Sequence, residues 1–200
     1  MDLDNIALKP LDYWTYTHDA VFTHESYEHS YLRHKISRPH VINSMLATKP
    51  KHSLFQLLID NLSLYAVKYA NRSRDAVLYA TGPFFVTEMI RVHNQTPGSD
   101  AVTVVPPKYF VPVFDSDVSW LREKCWRNPP DPSTKLHKYI ICKRLADTKF
   151  NNSITEEAFL EHRWVHTYKE RFQKLQYSDV YFNIYDVFPK SRLLSTMICN

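Results

Sequence analysis

Apolar positions recur at helical spacing through Ser53 to Tyr69, where Leu54, Leu57, Leu58, Leu62, Leu64 and Tyr65 alternate with Asp60, Asn61 and Lys68. That pattern predicts an amphipathic helix with one face against a core. Two short apolar runs, Ala76 to Ala80 and Val102 to Val105, read as buried strands. The first leads through Thr81-Gly82-Pro83 into a helix over Phe84 to Val92, because a hydroxyl followed by Pro at the first helical position is a start signal. Pro106-Pro107 ends the second, with Tyr109 to Phe114 just after it.

Elsewhere the pattern is weaker. Residues 13 to 40 are rich in Tyr and His, and the steps between His18, His24, His29, His34 and His40 fit neither a helical nor a strand metal site. They read as a partly exposed loop or lid. Asp115 to Asn152 is irregular, with a plain loop at Arg127 to Pro132 and a strand or helix turn over Lys138 to Arg144. Ser153 and Glu156 have capping-box spacing, which predicts a short helix over Glu156 to Glu161. Tyr181 to Val187 alternates as a last strand.

The chemistry sits at the ends of this pattern. Asp2-Leu3-Asp4 opens the chain, and on a strand period-two alternation sends both carboxylates to one face. Two like charges so close repel unless a cation lies between them, and carboxylate oxygens suit Mn²⁺ or Mg²⁺. The diphosphate of a nucleotide sugar is a natural second ligand of such an ion. The triplet alone is unspecific, since Asp115-Ser116-Asp117 repeats it in what reads as a solvated loop.

The order of segments is more specific. Asp2-Leu3-Asp4 leads to Leu8-Lys9-Pro10-Leu11-Asp12, then Asn43 to His52 precedes the apolar helix. Thr81-Gly82-Pro83, Val102 to Pro106 with Tyr109-Phe110-Val111-Pro112, and His162-Arg163-Trp164-Val165-His166-Thr167-Tyr168 follow. In this order, over about the first 168 residues, the chain resembles the glycosyltransferase family whose sugar-binding region contains the Asp-x-Asp motif, of the fungal Golgi mannosyltransferase and mannosyl-inositol-phosphoceramide synthase type. It departs from the family at Lys51, where Gly is usual, and at Arg163, His166, Thr167 and Tyr168, where the closing motif normally has His, Gly, Ser and Trp.

The resemblance implies an α/β fold, the C-terminal portion of a GT-A-like nucleotide-sugar transferase with a mixed sheet flanked by helices. It implies that 1–200 is a single partial domain starting at the Asp-x-Asp strand, an internal Met standing first, with the nucleotide-binding part upstream. Asp4 would ligate Mn²⁺ or Mg²⁺, Asp2 would face the donor ribose or a metal-bound water, and His162 would close the metal site. Trp164 would wall the donor pocket, Thr167 and Tyr168 would lie along it, and Thr81 and Gly82 would offer a helix start to the donor's anion. The activity implied is transfer of a sugar, mannose as first choice, with retention, from a nucleotide sugar to a glycan or glycolipid hydroxyl. The alternative is a noncatalytic metal- or glycan-binding remnant of that fold.

Composition alters little. At 200 residues and 44% hydrophobic, one core is expected. A formal charge of +4 without a clustered Lys/Arg stripe gives no nucleic-acid motif, so no nucleic-acid partner is assigned. No run is long enough to span a membrane, and membrane association is assigned to the missing part. Sequons at Asn61, Asn71, Asn94 and Asn151 lean toward the Golgi or another secretory lumen. Cys125, Cys142 and Cys199 lack metal-ligand spacing and read as unpaired or buried thiols rather than a Cys125 to Cys142 disulfide.

Overall fold

The computed structural model describes residues 5–35, 38–72, 76–114, 118–126, 130–147 and 154–164. They form a mixed α/β unit whose centre is a strand, β2 (Ala20–His24). This strand lies between β3 (Val41–Thr48), antiparallel to it, and β4 (Thr103–Val105), parallel to it. A mixed sheet flanked by helices is therefore what the chain builds. A second, two-stranded sheet joins β1 (Asn5–Ala7) to β5 (Leu160–His162) in antiparallel register.

Both faces of β2 are covered, which is why Ala20, Val21 and Phe22 are apolar in succession and Thr23 after them is buried too. Ala20 and Phe22 point to one side, into a core with Leu54, Leu58, Phe85 and Met89. Val21 points to the other, with Trp14, Met45, Val105, Phe110 and Leu160. Along β3 the alternation breaks, because Ile42 and Met45 share the second core although three residues apart. Between Val21 and Thr23 the partner on β3 jumps from Ala47 to Ile42, three residues more than a regular ladder, and this irregularity absorbs the break.

Helices supply the first face. The expected helix is α3 (Ser53–Tyr69), with Leu54 and Leu58 buried, and α5 (Pro83–Asn94) runs beside it. Four other expectations fail, the free-thiol reading of Cys125 and Cys142 among them. Residues 13 to 40 are not a lid but α1 (Asp12–Thr17), β2 and α2 (Tyr27–His34), so their histidines come from different elements and could show no common period. Ala76 to Ala80 is a helix, α4 (Ala76–Ala80), not a buried strand, and Val77 is 68% exposed. A five-residue apolar run cannot distinguish the two by periodicity.

The third failure bears on the site. Around Glu156 to Glu161 the chain makes a turn and then β5, because Phe159 bonds across to Tyr109 (2.7 Å) and accepts from Leu8 (2.9 Å). Tertiary pairing overrides the local capping signal. The irregular stretch holds α6 (Val118–Trp126) and α7 (Leu136–Asp147), with Lys138 to Arg144 inside the latter. The two are joined by a Cys125–Cys142 disulfide, contrary to the free-thiol reading, with Cα atoms 5.3 Å apart. Their cluster also buries Leu32 of α2, Ile141 and Leu145. The last predicted strand, Tyr181 to Val187, and Asp115-Ser116-Asp117 lie outside the described residues.

Candidate functional site

The strand pair β1–β5 brings the start of the chain to its histidine-tryptophan segment. Asn5 stands opposite His162, Ile6 opposite Glu161 and Ala7 opposite Leu160. Asn5 also donates its side-chain amide to the carbonyl of Ser44 (2.9 Å), which ties β1 to β3. The Ser44 hydroxyl is buried there with no hydrogen-bond partner among the described residues. Asp2 and Asp4, which precede β1, lie outside the described residues, as do Thr167 and Tyr168.

His162 is buried, and its ring meets the Trp164 ring edge-on at 4.5 Å. Trp164 has φ +54°, in the left-handed region, which costs a non-glycine residue about 1–2 kcal/mol. Such a conformation persists where its surroundings over-determine it. Here the indole N–H donates to the Val113 carbonyl (2.7 Å), and the ring lies 5.2 Å from that of His29. Behind β5 the wall continues through Phe159, Trp14 and Phe110 in edge-to-face contacts.

His29 leads to a group that sequence reading missed. Glu25 follows β2 directly and is buried, its backbone N–H bonded to the His40 carbonyl (2.8 Å). Its carboxylate accepts from His29 Nδ1 and from the Ser30 hydroxyl (2.5 Å), both on the first turn and a half of α2. Ser26 caps that helix by accepting from the His29 backbone N–H (3.2 Å). A signal existed: a Glu between an apolar strand and a Ser-capped helix lies at the carboxyl end of a strand in a parallel pair, where open α/β sheets carry their sites.

Histidines close this end of the sheet. Burial holds the imidazoles of His24 and His40 below the usual range, opposed at His24 by bonds to the backbone of His40 and Pro39 and at His40 by the nearby Glu25 charge. His40 also lies 4.0 Å from Phe84, at the start of α5, and Thr87 of the same helix donates to and accepts from the backbone of Val41. The N-terminal end of α5 and the end of β2 are thus neighbours.

At the Thr81-Gly82-Pro83 junction the Thr81 hydroxyl donates back to Val77 (3.3 Å), and the amides of Thr81 and Gly82 share the same carbonyl. A Cβ on Gly82 would stand 2.8 Å from Leu78 Cα, so Gly82 serves the close approach of α4 to α5. Pro83 carries no N–H, so it fits the first position of the helix without leaving a donor unsatisfied.

Two other features are structural in character. Ser53 donates to Asp100 (2.6 Å) while holding His93 Nε2 at 2.8 Å, and His52 caps α3 at the Leu54 N–H. A nucleophilic relay needs the carboxylate behind the imidazole, whereas here it takes the serine hydroxyl itself. Those bonds hold the Asp100 carboxyl below the usual range. A groove of about 430 Å³ between α3 and α5 is lined mainly by apolar side chains, Leu57, Leu64, Met89 and Val92 among them, with Asn61, Tyr65 and Lys68 also on its walls.

Among the described residues no three His, Cys, Asp or Glu side chains gather to hold a metal ion, and two of the three proposed ligands lie outside that set. No protein-family model, curated protein or solved structure matches this chain.

Proposed function

We propose that this chain is the metal and acceptor-side portion of a GT-A-like retaining glycosyltransferase that takes a nucleotide sugar as donor. The observation that carries this reading is the register of β1 with β5, Asn5 opposite His162, two strands that lie more than 150 residues apart in sequence. The residue following Asp2-Leu3-Asp4 is thereby the strand partner of the proposed third ligand. A carboxylate and an imidazole, with a second carboxylate near enough to take a metal-bound water, suit Mn²⁺, with Mg²⁺ as the harder alternative. The buried Ser44 hydroxyl beside the Asn5 anchor adds a polar group in want of a partner.

In this reading Asp4 and His162 hold the cation and Asp2 faces the donor ribose or a metal-bound water. When bound, the cation supplies positive charge against the diphosphate. The chain's own residues do the rest. Trp164 walls the pocket and keeps water from the sugar. Thr81 and Gly82 are proposed on its anionic side, where they would act by placing the start of α5, since their own amides bond the Val77 carbonyl. The acceptor is a glycan or glycolipid hydroxyl, and mannose is the first sugar to try.

The Cys125–Cys142 disulfide supports an oxidising secretory lumen such as the Golgi. Two sequon asparagines, Asn71 and Asn94, are exposed, whereas the Asn61 amide is engaged with the Leu57 carbonyl inside α3.

The test is release of nucleoside diphosphate from UDP- and GDP-sugars by the chain with Mn²⁺ or with chelator. Metal-dependent release that disappears in Asp4→Asn and His162→Ala is expected. Mn²⁺ binding with no turnover on any donor would leave the noncatalytic remnant instead.

A further inference from the structure

We propose that Glu25 is a positioning residue of this site, acting through His29 to fix the Trp164 ring and, through it, His162. The inference rests on the transferase reading only for its kinetic consequence.

A buried carboxylate is costly, and an apolar side chain of similar size in its place is often neutral or stabilising. Glu25 is 6% exposed, His29 4% and Ser30 0%, so all three groups are out of water. The carboxylate can only accept, which makes His29 Nδ1 the donor and fixes both the tautomer and the plane of its ring. Ser30 holds the second oxygen, and the Glu25 backbone is tied to His40, so the acceptor cannot swing away.

The ring so fixed is one of the groups against which Trp164 rests, at 5.2 Å. Trp164 has a left-handed backbone and needs external contacts to stay there. One is the bond of its indole N–H to Val113, a second is His29, and a third is His162 at 4.5 Å. The chain of contact therefore runs carboxylate, imidazole, indole, imidazole, from the end of β2 to the end of β5. A carboxylate bonded directly to a metal-ligating histidine typically alters affinity or activity by roughly 10–100-fold when replaced, which sets the upper bound for Glu25 acting through two intervening rings.

The experiment uses the full chain and its Glu25→Gln variant, which keeps shape and removes charge. Proton and nitrogen NMR reads the His29 Nδ1–H signal and the Trp164 indole N–H signal, the latter assigned with Trp164→Phe. Loss of the low-field His29 signal together with a displaced Trp164 indole signal is expected, as is a kcat lowered by at most roughly 10–100-fold at unchanged KM. An indole signal left in its wild-type place in a folded Glu25→Gln chain overturns the proposal. Should that variant fail to fold, Ser30→Ala keeps the carboxylate but frees one oxygen. A displaced indole signal there supports the proposal and an unmoved one overturns it. If the indole signal moves but even the wild-type chain turns over no nucleotide sugar, the positioning role stands and the transferase reading falls. If wild-type turnover survives Glu25→Gln intact and the indole signal has not moved, the positioning role falls and the transferase reading stands.

Discussion

Histidines carry much of the polar chemistry of this core, and their burial makes the fold sensitive to acid. His40 and His24 bind a proton less readily when folded than when unfolded, because burial disfavours the imidazolium. The unfolded chain therefore takes up more protons as pH drops through its ordinary imidazole range near 6.5. Stability from these residues is full above that pH and is lost as pH falls below it. Urea midpoints measured across this range should decline toward acid, and His40→Asn should flatten the decline; a slope unchanged by the substitution would assign it to other groups. At this scale sequence reading singled out His162 and Trp164 through a motif, took His29 and His40 for loop positions, and passed over Glu25. Glu25 and His29 are only four residues apart, but their burial and the contacts to His40 and Trp164 are set by other elements, so the spacing of five histidines does not say which of them faces a buried carboxylate.

Among elements, the strongest local patterns survived and the short ones did not. Ser53 to Tyr69 has enough turns for its apolar period to fix a helix, and Pro83 marks the start of α5 as expected. Ala76 to Ala80 and Glu156 to Glu161 are too short for a period to decide, and neighbours chose their conformation. The pair α6–α7 depends on a link that spacing did not reveal. Cys125 and Cys142 are 17 residues apart, and closing a loop of that size stabilises by about 3 kcal/mol in the chain-entropy account. Replacing both with Ser should lower the unfolding free energy by roughly that amount, read from urea curves with the reduced wild-type chain as control. Identical midpoints for oxidised and reduced protein would argue against a stabilising bridge.

For the whole molecule, the decisive relation is between regions far apart in sequence. The proposed metal site would join the segment before β1 to β5, so an ion bound there should clamp the two-stranded sheet. At a free Mn²⁺ concentration one hundred times its Kd the folded state should gain about 2.7 kcal/mol, seen as a raised unfolding midpoint that Asp4→Asn abolishes. A midpoint indifferent to Mn²⁺ would count against the site. By itself the sequence determined the long amphipathic helix, the helix start at Pro83, the strand before Pro106 and the residue types suited to a hard cation, since each is written in contiguous residues. Only the tertiary structure decided that β1 pairs with β5, that Glu25 lies buried beneath His29, and that Cys125 meets Cys142. Strand register, burial of a charge and disulfide pairing depend on which distant segments pack together, and no local period encodes that.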